Sequence, residues 1–264
     1  MSAPRIETRA FPLETDLPIR QISPADLREV LTRGYADFMA MPSHLFFVGL
    51  IYPILGICLA AFAFGYDLLP LIYPLMTGFA IVGPLAAIGL YELSRRRELG
   101  QEPRWKDAAA VLRSPAIGSI AGLGAILLAI FVAWMVTAHV IYTALLGSVP
   151  AESYGGLIRT ILTTPRGWAL ILVGNAVGGA FAVLAFVLTV ISFPLMVDRE
   201  VGVGEAVRTS VRAVKANPYT MVLWGAIVAG LLALGSIPLF VGLALVTPIL
   251  GHATWHLYRR VVGD

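Results

Sequence analysis

The chain has 264 residues, of which 58% are hydrophobic and 13% charged; a soluble domain carries roughly 25% charged residues, and one soluble core of this size could not hide so much apolar surface. The net charge of +3 is too small for a nucleic-acid surface and reads as loop charge that orients a chain in a bilayer. The apolar residues fall in long runs free of Asp, Glu, Lys and Arg, so the expected fold is an all-α membrane protein. It should have six transmembrane helices arranged as three hairpins, each preceded by a cytoplasmic amphipathic helix.

Residues 1–22 read as a flexible cytoplasmic N-terminus, and 23–264 as one transmembrane domain. The first 43 residues mix acids and bases, with no basic start leading into an apolar core, which argues against a cleaved signal. The first leader opens on Ser23-Pro24-Ala25-Asp26, where serine can cap, proline suits the first turn and Asp26 completes a box. Leu27, Val30, Leu31, Gly34, Tyr35 and Phe38 fall on one face. Membrane entry follows at Met41-Pro42, and a first span is expected at 44–64. It holds Cys58, the single cysteine, which cannot form an internal disulfide.

The second span is expected at 68–91. A second leader, Pro103 to Arg113, presents Trp105, Ala108, Ala109 and Leu112 on one face. The third run, 115–146, is long enough to tilt or project from the bilayer, and the fourth is 168–197. A third leader, Gly204 to Ala216, opposes Val207, Val211 and Val214 to Arg208, Arg212 and Lys215. From Tyr219 to Tyr258 no Asp, Glu, Lys or Arg occurs, and only Gly235-Ser236-Ile237-Pro238 interrupts. That length suits two spans, 219–234 and 236–258.

Six crossings put 17 of the 19 Lys and Arg residues on one face, leaving Arg159 and Arg166 on the other. The positive-inside rule makes the first face cytoplasmic, with both termini there. Pro84, Pro194 and Pro248 each stand about ten residues before a cytoplasmic helix end, and the segments after Pro84 and Pro248 align without a gap. The hairpin units, about 23–91, 102–197 and 203–258, therefore read as internal repeats.

Counted from those prolines, Asp198 falls level with His252, and Glu92 with His256. His252 and His256 are i, i+4 and share a helix face. If the helices converge, these four N/O ligands suit a divalent metal, with His44 able to join. The bland alternative makes all four interfacial polar residues, and Trp255 and Tyr258 part of an aromatic belt. In the fourth span, Asn175 beside Gly174 and Gly178 suggests a hydrogen bond to a neighbouring helix at a close-packing face. Gly118 and Gly122 suggest a second such face in the third span. No charged residue lies mid-membrane, which argues against ion-coupled transport. His139 lies near the outer end of its span, far from the other histidines, so a bis-histidine haem is excluded. Phosphate loops, nucleophile elbows and His-Glu-x-x-His motifs are missing.

Gly83-Pro-Leu-Ala-Ala-Ile-Gly-Leu-Tyr-Glu-Leu-Ser-Arg-Arg96, Ser192-Phe-Pro-Leu-Met-Val-Asp-Arg199, Asn217-Pro-Tyr-Thr-Met-Val-Leu-Trp-Gly225 and Gly251-His-Ala-Thr-Trp-His-Leu-Tyr-Arg259 resemble a family of bacterial integral membrane proteins of unknown function (domain of unknown function 2189). The resemblance spans about 23–262 and implies an inner-membrane location. The expectation is a non-enzymatic accessory, scaffold or assembly factor of another membrane complex. A small-molecule or lipid transporter and a metal-binding protein stand as alternatives.

Overall fold

The computed structural model describes residues 17–41, 69–147, 154–237 and 242–263. The first span expected at 44–64, with His44 and Cys58, lies outside the described residues. What is described is helical, with no strand among those residues. The exception is one isolated antiparallel bridge between Ile19 and Val262.

The first helix, α1, is Pro24–Ala40. Asp26 accepts hydrogen bonds from the backbone N–H of Ser23 at 2.8 Å and from its hydroxyl at 2.7 Å. These bonds hold the Asp26 carboxyl below the usual carboxylate range, the backbone one most strongly. The leader docks on the last helix, α10, Leu243–Val261, through buried Leu27, Val30, Gly34, Asp37 and Phe38. A Cβ on Gly34 would lie 2.6 Å from the Ala253 backbone nitrogen, so the helices meet this closely only because a glycine stands there. Tyr35, expected on the buried face, is exposed.

Helix α2, Ile72–Ala86, is interrupted at Ala87 and continues as α3, Ile88–Glu98. The second leader is a 3₁₀ segment, Trp105–Arg113. Three residues per turn replace 3.6, so its contact row differs from the expected helical face: Val111 is buried and Leu112 is 70% exposed. Helix α4, Ile117–Leu146, is about 45 Å long at 1.5 Å per residue, more than a roughly 30 Å hydrocarbon core needs.

A short helix missed by the sequence reading, α5 (Tyr154–Thr163), precedes α6, Pro165–Thr189, which Thr164 caps by accepting from Gly167 N–H at 3.0 Å. The chain breaks at Val190–Ile191 and continues as α7, Ser192–Arg199. Pro194 has no N–H to offer the Val190 carbonyl, which explains the break. Ser210 bridges it, donating to the Val187 carbonyl at 2.8 Å and accepting from Ile191 N–H at 3.3 Å.

Ser210 lies on the third leader, α8, Val203–Ala216. Its buried row is Ala206, Thr209, Ser210 and Ala213, with the valines at the edges. Small side chains let α8 pack closely against α6 and α7, which the apolar pattern alone did not indicate. Helices α9, Pro218–Ser236, and α10 form an antiparallel pair at Gly235 and Gly242, whose backbones touch.

Among the described residues, four helical stretches are long and apolar enough to cross a membrane: Tyr73–Glu98, Ile117–Leu146, Pro165–Arg199 and Pro218–Ser236. Helix α10 is not among them, because its second half carries His252, His256, Arg259 and Arg260. The described architecture is thus helical, with several helices apolar enough for a bilayer. Its best-packed core is at the basic end, where α7 is buried from Ser192 to Val197, and Trp255, Leu257, Tyr258 and Val261 of α10 are almost fully enclosed.

The N-terminal run was expected to be flexible as far as residue 22. Instead, residues 17–22 are pinned. Arg20 N–H donates to the Val261 carbonyl at 2.8 Å, and Gly263 N–H to the Pro18 carbonyl at 2.9 Å. Asn217 Oδ1 accepts from Ile22 N–H at 2.8 Å while its Nδ2 donates to the Arg20 carbonyl at 3.1 Å. Backbone donors and acceptors that leave water need such partners. A single asparagine at the α8–α9 junction supplies two of them.

Candidate functional site

Three helices meet around one carboxylate at the basic end. Asp37 of α1 is 5% exposed. Its Oδ2 accepts from the Ser94 hydroxyl at 2.6 Å and faces His256 Nε2 at 2.9 Å. Its Oδ1 accepts from Arg97 Nη1 at 2.5 Å. The Ser94 oxygen also lies 2.8 Å from His252 Nδ1. A serine has one proton, and here it goes to Asp37, so His252 must carry its proton on Nδ1 to complete the contact. A hydrogen-bonded chain His252–Ser94–Asp37–His256 thus ties α10 to α3 and α1. Burial pushes the Asp37 carboxyl up. The hydrogen bonds from His256 and Ser94, with the nearby histidine charge, outweigh burial and hold it below its ordinary 3.8.

The four residues expected to form a metal site have different partners. Glu92 is buried and accepts from Arg95 Nε at 2.8 Å and Arg96 Nε at 2.6 Å, both one turn further along its own helix. Asp198 accepts from the Tyr258 hydroxyl at 2.6 Å and lies 3.5 Å from Arg259 Nη1. His252 and His256 turn to Ser94 and Asp37. Among the described residues no three His, Cys, Asp or Glu side chains gather closely enough to hold a metal ion. Glu92 is engaged by arginines one turn along its own helix.

Asp37 is the residue the sequence reading missed. The signal was present: it lies seven residues after Val30 and three after Gly34, in the middle of the buried stripe. A carboxylate at that register must have buried partners.

Glu98 and Arg260 extend the junction. Glu98, at the end of α3, accepts from the Trp255 indole at 2.9 Å and from Arg259 Nε at 3.0 Å. Arg260 pairs with Asp26 at 3.1 Å and with Glu29. Trp255 and Tyr258 are therefore interior residues of this junction rather than a lipid-facing belt. A cleft of about 150 Å³ opens beside it, lined by Arg20, Glu29, Arg33, Glu98, His256 and Arg260 among others. His256 links the cleft to the buried chain. Among the described residues no buried side-chain nitrogen or oxygen lacks a hydrogen-bond partner.

In the apolar region, Asn175 Oδ1 accepts from the Tyr73 hydroxyl at 2.7 Å, and its Nδ2 donates to the Ile171 carbonyl at 2.8 Å. A Cβ on Gly178 would meet the Trp134 ring at 2.8 Å, and one on Gly122 would meet Val203 at 3.3 Å. Gly118 and Gly174 face open space. His139 lies on the exposed side of α4.

With this geometry established, the comparisons with known proteins bear on one part of the chain. Residues 72–198 match the family described as "Predicted integral membrane protein (DUF2189)". The resemblance read from the sequence is thereby shown over that stretch, which runs from α2 to α7 and holds Glu92, Ser94, Arg97, Asn175 and Asp198. The expected span of 23–262 was wider. Asp37, His252 and His256 lie outside the DUF2189 match, so half of the Asp37 junction falls within the family stretch and half beyond it. No curated protein and no solved structure matches the chain.

Proposed function

We propose that this protein is a non-enzymatic, six-span inner-membrane protein that serves as an accessory, scaffold or assembly factor of a membrane complex. The observation that carries this reading is the use made of its polar side chains. Several of the buried ones join separate elements to one another, as Asp37, Ser94, His252 and Asn217 do. Outside the junction the polypeptide offers lipid or a partner large apolar side chains on α4, α6 and α9, among them Leu128, Val136, Leu172 and Val222, with Gly118 and Gly174 facing outward beside them.

The six-span topology rests on the four apolar stretches, on α10, and on the run at 44–64. Its support is the pairing of residues 18–20 with 261–263. This pairing holds both ends of the described chain at one face, as an even number of crossings requires. The basic residues concentrated there favour the cytoplasmic side.

The test is extraction of the full chain with its surrounding lipid by an amphipathic polymer, followed by quantitative mass spectrometry. One membrane protein at a constant ratio, lost on Gly118→Leu or Gly174→Leu while thermal stability is unchanged, is the expected result. A chain that is always recovered alone, and that binds a small molecule stoichiometrically, would overturn the reading in favour of a transporter.

A further inference from the structure

Helix α5, Tyr154–Thr163, follows the long α4 and turns directly into α6 at Thr164. Its apolar residues Tyr154, Leu157, Ile158, Ile161 and Leu162 recur at the i, i+3, i+4, i+7, i+8 spacing of one helical face. Gly155, Gly156, Arg159, Thr160 and Thr163 occupy the other. The apolar face is only half used by the protein. Leu157 and Ile161 are half-buried, and the Ile161 backbone lies against Gly167 at the start of α6. Ile158 and Leu162 are each 54% exposed.

That exposed strip does not end with α5. Trp168 is 53% exposed, and its indole N–H donates to the Leu162 carbonyl at 3.1 Å, which holds the ring beside the α5 strip. One turn on, Leu172 is 68% exposed on the apolar span that begins at Pro165. Ile158, Leu162, Trp168 and Leu172 therefore form one band, running from α5 onto the outward surface of a membrane-crossing helix. In water the exposed parts of the first three of these side chains would carry a hydrophobic cost. Lipid removes that cost. Arg159 lies on the polar side of α5 and Arg166 at the start of α6, both exposed, where guanidinium groups can reach lipid phosphates.

We infer that α5 is an interfacial helix, lying in the plane of the membrane surface at the non-basic end of the molecule. It rests on the acyl–headgroup boundary through Ile158, Leu162 and Trp168, with Arg159 and Arg166 among the phosphates. Basic amphipathic helices bury their apolar face at that depth, and tryptophan favours the same layer. The helix fixes how deep the α4–α6 pair sits, because α4 alone is long enough to slide through the bilayer.

The experiment uses the full chain in phosphatidylglycerol–phosphatidylcholine nanodiscs, in a Cys58→Ser background. Spin labels are placed singly through Ile158→Cys, Leu162→Cys and Arg159→Cys. At 158 and 162 the label should collide several-fold more with dissolved oxygen than with a water-soluble nickel chelate, and at 159 the preference should invert. Equal access of the chelate to all three positions overturns the inference and places α5 in water. Exclusion of both reagents at 158 and 162 also overturns it, by placing a protein partner there. A second measurement needs no change in α5: the emission that Trp168→Phe removes should be quenched by lipids brominated near the headgroup. It should be quenched less by lipids brominated at the chain ends. No quenching by either lipid overturns the inference.

Discussion

The basic end of the molecule and its apolar helices pack by different rules. At the basic end the C-terminal half of α10, from Gly251 to Val261, is packed by α1, α3 and α7, and most of its polar side chains bond to another element. The apolar helices α2, α4 and α6 touch one another through few polar groups, the Tyr73–Asn175 bond between α2 and α6 being one of them, and α4, α6 and α9 leave many large side chains facing outward. At the basic end water competes for every polar group, so burial must be matched bond by bond. Along the apolar helices lipid is as good a neighbour as leucine, and association depends on close fit and a few hydrogen bonds. Architecture at the first end is therefore fixed within the chain, whereas the second leaves surface to lipid and partners.

The sharpest way to break this contrast is to remove the charge at the centre of the junction. Asp37→Ala leaves Arg97, Ser94 and His256 without their shared acceptor. Removing one partner of a buried pair costs about 3–5 kcal/mol, and the lower end applies because Arg97 is 38% exposed. Thermal unfolding in detergent and protease cleavage within 17–41 should both report the loss. The same carboxyl gives a pH signature. Its pKa in the folded protein lies below the ordinary 3.8, so its contribution is fully present above that value and fades as the pH falls through the folded pKa. Stability measured from pH 6 down should drop below about pH 4, and Asp37→Asn should flatten that part of the curve. An unchanged acid limb would show that Asp37 does not hold the junction.

Gly34→Val tests the fit rather than the charge. Its Cβ would enter the space of Ala253 backbone atoms at 2.6–2.7 Å, and backbone cannot rotate aside. Overpacking of this kind costs about 1–3 kcal/mol. The helices should separate, with α1 becoming protease-sensitive before the remainder unfolds. Asn217→Ala tests the link to the N-terminal run. It deprives Ile22 N–H and the Arg20 carbonyl of their partner, at about 1–3 kcal/mol for groups left unsatisfied. Amide exchange at residues 18–22 and 261–263 should quicken together, because these two strands of backbone hold each other.

How far the sequence foretold this contrast depends on which forces are local. Ser23 and Asp26 were readable because a helix start is decided within four residues. The runs at 115–146 and 168–197 were readable because bilayer thickness fixes their length, and the observed Ile117–Leu146 and Pro165–Arg199 agree with them. Asp37 was not picked out, because its partners Ser94, Arg97 and His256 are 57 to 219 residues away. For Glu92 the partners were close instead, arginines one turn along its own helix, while Asp198 found a tyrosine 60 residues on. Matching depth along three prolines said nothing about which arginine or tyrosine each carboxylate would find first. Helix α5 escaped because ten residues between two spans resemble loop, and its period shows only when the turn at Thr164 is known.

The smallest expected effect discriminates best between the two regions. Gly118→Leu and Gly178→Leu make the same substitution on neighbouring membrane helices. At Gly178 the new side chain meets the Trp134 ring at 2.8 Å, and that ring is itself held by its indole bond to the Pro74 carbonyl at 2.9 Å. The ring cannot yield without losing that bond, so about 1–3 kcal/mol should be lost. At Gly118 nothing lies within 4 Å, and the isolated chain should change by no more than about 0.5 kcal/mol. The two variants compared in detergent, where partners are stripped away, should therefore differ in melting temperature. If Gly118→Leu proves as damaging as Gly178→Leu, the outward face at Gly118 is covered within the chain itself. The apolar region would then be as self-contained as the Asp37 junction, and a partner-binding role would lose its main support.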